Sequence, residues 1–263
     1  MKKLRLYATT MWRLIATVQN WPLYLLNKWQ LTTGDRVRYR LRNGTVLIAR
    51  PYAIEGGALN DVWLDRSYEP NDKGIVFDWT QCKHIIDIGA NIGTFMLYAA
   101  AKAPSAHIYT FEPEPSNYVL VQENIQANRL EQRVHAFNAG VAATTGSLTL
   151  YVTGDTGGHS VFDYSHAGTP TTVPCFSLER VFTDNSLPFC DFLKIDCEGA
   201  EYDILYALSP DYYQKISFIA LEYHHFSKNP LHTPAALQQH LEKQGFTVSK
   251  PKKSLFFAHR TTR

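Results

Sequence analysis

From residue 84 onward, short unbroken apolar runs alternate with stretches whose apolar positions recur three and four apart. HIIDIG (84–89) reads as a buried strand, and TFMLYAAAKA (94–103) as the helix after it. HIYTFEP (107–113) is a second strand, and SNYVLVQENIQANRL (116–130) a second helix with Ser116 as its expected N-cap. RVHAFNAGV (133–141) is a third strand; FCDFLKID (189–196) is a fourth, followed by a helix in AEYDILYALS (200–209). KISFIALE (215–222) is a fifth, TPAALQQHLEKQG (233–245) a helix ending at Gly245, and FTV (246–248) and SLFFAH (254–259) two short final strands. Alternation of this kind predicts an α/β fold, a parallel sheet with helices on both faces.

Two segments break the alternation. Residues 146–176 carry SLTLYV and TTVPCF around the Gly-rich stretch TGDTGGHS, which reads as a hairpin-like insertion. Residues 35–50, DRVRYRLRNGTVLIAR, form a second hairpin with Asn43-Gly44 as a two-residue turn. In that strand Arg36, Arg38, Arg40 and Arg42 alternate with Val37, Tyr39 and Leu41, so four guanidinium groups share one face. Neighbouring like charges repel, so the stripe needs compensation. Asp35 or Glu55 can supply it, or an anion can: a carrier-linked sugar phosphate, an acidic glycan or lipid headgroups.

The first 31 residues mix basic and apolar positions, but Arg13, Gln19, Asn20 and Pro22 interrupt the apolar run. That pattern makes neither a signal peptide nor a spanning helix. An amphipathic helix packed on the domain is the favoured reading. The other is peripheral membrane contact, with Trp12, Trp21 and Trp29 beside Lys2, Lys3, Arg5 and Arg13. We therefore divide the 263 residues into an N-terminal extension (1–80) and a second domain (81–263). The net charge of +2 selects no partner by itself and gives no sign of nucleic-acid binding. Cys82, Cys175, Cys190 and Cys197 form no C-x-x-C pair and read as reduced structural thiols of a cytoplasmic protein.

The chemistry centres on IIDIGANIGTF (85–95), a strand feeding a glycine turn and then a helix. A dinucleotide fingerprint needs glycine where Asn91 stands, and Asp87 adds an acid at the strand end. Both features suit a cofactor with an amino-acid end better than one with phosphates. Glu112, ending the second strand, is placed to accept the hydroxyls of a ribose. An NAD-dependent oxidoreductase and a non-catalytic domain of the same fold are the alternatives.

These segments, together with FEPEPSNYVLVQENIQAN, NAGVAATTGSLTLY, FLKIDCEGAEYDIL and IALEYHH, resemble in order the FkbM family of methyltransferases. The resemblance covers most of residues 84–225, with KIDCEGAE its most specific phrase. It implies a class I methyltransferase (Rossmann-like) sheet of order 3-2-1-4-5-7-6 and S-adenosylmethionine as methyl donor. It also implies O-methylation of a hydroxyl on a sugar, glycan or natural product. The candidate cofactor residues are Asp87, Gly89, Ala90, Asn91, Gly93, Glu112 and Asn138.

In the implied order the carboxyl ends of strands one, four and five carry Asp87, Asp196 and Glu222. Ligands bind at that edge in open α/β sheets. Asp196, Glu222 and His224 are the candidate catalytic residues, with Glu198 and His225 close by. Methyl transfer needs the acceptor oxygen deprotonated and aligned. A side-chain base meets that need, and so does a divalent cation held by carboxylates and a histidine; the sequence leaves both open. Lys194, two residues before Asp196 on the same strand face, is expected to join Asp196 and Glu201 in a structural ion-pair network.

Overall fold

The computed structural model describes residues 2–52, 55–152, 169–224, 229–252 and 254–260, without the side chains of residues 2–7, 55, 56, 73, 152, 251 and 252. His225 and the stretch TGDTGGHS lie outside the described residues, as do the side chains of Lys2, Lys3, Arg5 and Glu55. The chain opens with helices α1 (Lys2–Thr17) and α2 (Trp21–Lys28), then the hairpin β1 (Val37–Arg40) and β2 (Val46–Ala49). A short helix, α3 (Glu55–Leu59), leads into the first unit of the main sheet: β3 (His84–Ile88), α4 (Thr94–Lys102), β4 (His107–Phe111) and α5 (Pro115–Ala127). Next come β5 (Val134–Phe137), β6 (Gly140–Ala142), β7 (Gly146–Val152), β8 (Thr169–Ser177) and α6 (Leu178–Asp184). The remainder is β9 (Phe192–Ile195), α7 (Glu201–Ala207), α8 (Pro210–Tyr213), β10 (Phe218–Glu222), α9 (Pro234–Lys243), β11 (Thr247–Lys252) and β12 (Leu255–His259).

Seven strands form the main sheet in the order β11-β12-β10-β9-β3-β4-β5. The pairs β3–β4, β4–β5, β3–β9 and β9–β10 are parallel, and β12 runs antiparallel to both neighbours. Counting only these strands along the chain gives 3-2-1-4-5-7-6, the implied order. β9 and β3 are buried along nearly their whole length, as strands covered on both faces must be. The order makes β3 and β9 the central neighbours, with chain crossing to opposite sides of them, and so sets the site at their carboxyl ends.

The structure corrects four local readings. The predicted third strand breaks at Asn138: β5 stays in the main sheet, while β6 pairs with β8 in a separate three-stranded sheet, β6-β8-β7. Ser116 does not cap α5. Glu114 does, its carboxylate accepting from the Asn117 N–H at 2.6 Å, and the Ser116 hydroxyl donates to the same carboxylate. The 35–50 hairpin turns through three residues, 42–44, because Leu41 N–H bonds Thr45 and Gly44 N–H bonds Leu41; Gly44 takes the left-handed φ of +92° that closes such a loop. The N-terminal amphipathic segment is two helices, with Val18 bridging to Leu41 in between.

α1 and the hairpin share one apolar core with the main sheet: Leu14, Val18, Tyr39 and Leu47 belong to the same buried cluster as Ile85, Phe95 and Ile125. Asn124 of α5 and Asn128, which follows its last residue, dock the hairpin. Asn124 accepts from Ile48 N–H (2.7 Å) and donates to Ile48 O (3.0 Å); Asn128 does the same for Val46. A primary amide presents a donor and an acceptor side by side, so it satisfies a strand edge as another strand would. Trp12 and Trp29 stay 69% and 62% exposed. Among the described residues, no helix is long and apolar enough to cross a membrane.

Before β3, the fully buried Glu69 accepts from Tyr98 OH (2.6 Å) and Trp79 Nε1 (3.0 Å) and pairs with Lys102 Nζ (2.9 Å). Burial alone would raise its pKa, but the hydrogen bonds from Tyr98, Lys102, Trp79 and Asn71 outweigh it and hold it down to about 2. A lowered carboxyl pKa stabilises the fold fully above the ordinary carboxylate range, and that stability is lost as pH falls toward 2. Glu69→Gln is therefore expected to cost about 2 kcal/mol at neutral pH, the scale of a hydrogen bond to a charged group, and less in acid. Denaturant melts at pH 7 and pH 3 check both parts; an equal loss at both pH values contradicts the charge argument.

Candidate functional site

The turn after β3 is shaped by its neighbour. A Cβ on Gly89 would overlap the main-chain oxygen of Asp196, and Gly89 has φ +79°, so glycine is demanded here by β9. Asn91 is also left-handed, at φ +53°, which turns its N–H onto Glu112 Oε2 at 2.7 Å. Gly93 caps α4 at φ +84°. Asn91 Oδ1 and Thr94 Oγ1 are buried without a hydrogen-bond partner.

Two cavities meet at this turn and share Gly89, Asn91, Asp196 and Glu198. The first is a cleft walled by Ile88, Phe111, Val141, Leu148 and Leu150, with Glu112 among its lining. Glu112 is 6% exposed and also accepts from Glu114 N–H at 3.0 Å. Burial pushes its pKa up to about 7 despite the backbone hydrogen bonds from Glu114 and Asn91. Leu148 and Leu150 come from β7, so the hairpin-like insertion supplies one wall.

The other candidate cofactor residues separate into two groups. Gly89, Ala90 and Asn91 line one or both cavities. Gly93, Asn138 and Asp87 line neither. Asn138 donates to the main-chain oxygens of Glu112 (2.9 Å) and Pro113 (3.2 Å), bracing the backbone that carries Glu112. Asp87 is fully buried; it accepts from Thr110 Oγ1 at 3.1 Å and lies 3.4 Å from Lys194 Nζ.

The second cavity, of about 410 Å³, is lined by Tyr68, Lys194, Asp196, Glu198, Glu222, His224 and Ser254, among others. All three candidate catalytic residues are thus together. Tyr68 OH lies 3.1 Å from Asp196 Oδ2 and 3.3 Å from Glu222 Oε2, bridging the two carboxylates, and Ser254 Oγ donates to Glu222 Oε1 at 3.1 Å. Burial, then the Asp196 and Glu222 charges, raise the Tyr68 pKa well above normal, so its hydroxyl keeps its proton. Burial and the Asp196 charge also raise the Glu222 pKa. His224 Nδ1 is 2.8 Å from Glu201 Oε1, and Nε2 is 3.5 Å from Glu198 Oε2. Burial lowers the His224 pKa, but Glu201 and the Glu198 and Asp196 charges outweigh it and raise it to about 9.

Lys194 is structural, with one partner different from the expected set. Its Nζ donates to Gly89 O at 2.7 Å and lies 3.6 Å from Asp196 Oδ2, while Asp87 replaces Glu201 as its second carboxylate. Glu201 instead accepts from the Cys197 and Gly199 N–H groups as well as facing His224. Tyr68 and Ser254 had no signal in the sequence: each is a common residue type outside the motif core, brought in by the fold. Thr94 stands within the glycine-turn segment, but nothing in the pattern marks its hydroxyl as lining the cavity.

The arginine stripe of β1 is exposed as the alternation requires, over buried Val37, Tyr39 and Leu41. The acid that compensates Arg36 is Glu123 of α5, at 2.9 Å. None of the four arginines lines either cavity. Arg38→Gln with Arg40→Gln is therefore expected to change the Michaelis constant of the acceptor by less than about twofold at low salt, where an exposed charge acts most strongly. Steady-state kinetics at two ionic strengths test this; a several-fold, salt-sensitive rise contradicts it.

The profile of the methyltransferase FkbM domain matches residues 87–248, more than half of the chain. Methyltransferase sdnD of Sordaria araneosa is 27% identical over 196 residues, covering 63% of this chain and 74% of its own length. The 31-O-demethyl-FK506 methyltransferase FkbM of Streptomyces tacrolimicus is 24% identical over 200 residues, covering 65% of this chain and 75% of its own. Among solved structures, methyltransferase FkbM from Methylobacillus flagellatus KT aligns over 92% of this chain with a TM-score of 0.47 and 13% identity; the chain spans 59% of that one.

Proposed function

Because the chain belongs to the FkbM methyltransferase family, we propose that it moves a methyl group from S-adenosylmethionine to a hydroxyl of a sugar, glycan or natural product. The observation that carries this is the meeting of two cavities at the β3 turn, one with a buried acid at the end of β4 and one lined by acids and a histidine.

The residues of the first cleft fit the donor. Each Glu112 oxygen accepts a backbone N–H and has accepting capacity left for a ribose hydroxyl. Phe111, Val141, Leu148 and Leu150 offer apolar faces to a purine. Asn91, with its unpartnered Oδ1, and the amino end of α4 suit the amino-acid end. Asp87 and Asn138 act indirectly, through Lys194 and the Glu112 backbone. When bound, the donor supplies an already activated methyl group, so the protein's work is positioning and proton removal.

Asp196 and Glu222 take the acceptor proton in this reading. Tyr68 stands between the two carboxylates and can donate its one hydroxyl proton to either. The cavity also contains Asp61, so acids outnumber Lys194 and His224 there. Such a surface repels phosphate, and the reacting part of the acceptor is neutral or cationic rather than phosphorylated. The test is incubation of the protein with isotope-labelled donor and metabolite and glycan extracts, followed by mass spectrometry. Label on an oxygen of a neutral or amino-bearing acceptor is expected. Label only on nitrogen or carbon contradicts the hydroxyl assignment, and no transfer at all contradicts the enzymatic one.

A further inference from the structure

We propose that Asp196, Glu198 and His224 bind one divalent cation in the acceptor cavity, where it holds and polarises the acceptor hydroxyl. This rests on the methyl-transfer reading of the same cavity. One ligand atom from each of the three residues lies within 4.8 Å of the others. Two ligands about 2.2 Å from a common centre stand about 3 Å apart when cis and about 4.4 Å when trans. His224 Nε2 and Glu198 Oε2 already lie 3.5 Å apart, so a cation needs to draw the set together by about an ångström at most.

The histidine is set up as a ligand by the residue behind it. Glu201 is fully buried and has its Oε1 at 2.8 Å from His224 Nδ1. A carboxylate at that distance accepts a hydrogen bond from Nδ1–H, and Nε2 is the nitrogen that faces Glu198. An imidazole oriented through its other nitrogen by a carboxylate is the usual support of a metal-binding histidine. The same cavity independently calls for a polar occupant. Thr94, 3% exposed, lines it with a hydroxyl that has no hydrogen-bond partner. Two carboxylates and one imidazole, without a thiolate, suit a hard or borderline cation such as Mn²⁺. There the cation acts as a Lewis acid on the acceptor oxygen, and Glu222 remains to take the proton.

The experiment is titration of the chelator-treated 263-residue chain with Mn²⁺, following free Mn²⁺ by electron paramagnetic resonance. One Mn²⁺ per chain is expected, with a dissociation constant on the order of 10–100 μM, within the range of carboxylate-rich sites. Glu198→Gln and His224→Ala should each weaken binding at least about tenfold, and Glu201→Gln by about 10–100-fold through the supporting bond. Thermal melts confirm that each variant folds. No bound Mn²⁺ in wild-type chain that binds S-adenosylhomocysteine overturns the proposal, as does undiminished binding in folded Glu198→Gln and His224→Ala. Wild-type chain that binds Mn²⁺ but not S-adenosylhomocysteine contradicts the methyl-transfer reading instead.

Discussion

Asp196→Asn and Glu222→Gln are each expected to lower kcat at least about 100-fold, within the range a positioned acid or base contributes. Both changes keep the shape of the side chain and remove its charge. Donor affinity should fall far less. Glu222 lines only the second cavity, and Asp196 is anchored to β3 by its own main-chain N–H, 3.0 Å from Ile88 O. Lys194 keeps its Asp87 partner and the Gly89 carbonyl when the Asp196 charge is gone, so the turn itself should survive. Tyr68→Phe should cost less, about tenfold, since it removes the bridge and leaves both carboxylates in place. Single-turnover rates with labelled donor, beside calorimetric donor affinity, separate these effects. Near wild-type turnover by both charge variants sinks the assignment of this edge.

Glu112→Ala is expected to weaken donor binding by about 100-fold, corresponding to two hydrogen bonds to a charged acceptor at ~1.5 kcal/mol each. The affinity should also depend on pH with a defined sign. Burial holds the Glu112 carboxyl up at about 7, so the native chain carries a proton there at pH values where the unfolded chain does not. That contribution to stability is present in acid and is lost as pH rises through 7. Hydroxyl donors favour the ionised form, so donor binding expels the proton. Affinity should therefore fall as pH drops below about 7, by up to about tenfold per pH unit. Glu112→Gln should bind more weakly than wild type and show none of this dependence. Calorimetry at pH 5.5 and 7.5 measures it, and identical pH slopes in the two proteins contradict the role of Glu112.

The sheet was legible because its strands carry the strongest pattern in the chain. Ile85–Ile88 and Phe192–Ile195 are apolar save for Asp87 and Lys194, and these two exceptions pair with each other. The helix ending at Gly245 was legible for a local reason: that glycine takes φ +87° just past Lys243. The break at Asn138 was not legible, because Phe137 and Val141 continue the apolar rhythm and only the choice of sheet partner changes. Within the site, the residues of the β3 turn and the β9 and β10 ends followed from strand order. Asp87 faces Thr110 and Lys194 rather than either cavity, because a residue at the end of a strand can point into the core. Tyr68 was invisible because it arrives from the N-terminal segment, 128 positions before Asp196, by a path no periodicity marks.

On the proposed function, the cleft beside Glu112 binds S-adenosylmethionine. The most direct measurement is calorimetric titration of the wild-type chain with S-adenosylmethionine and S-adenosylhomocysteine, with NAD as the comparison. Stoichiometric binding of both sulfur ligands, a raised melting temperature in their presence, and no response to NAD is the expected result. Binding of NAD with no response to either sulfur ligand would contradict it.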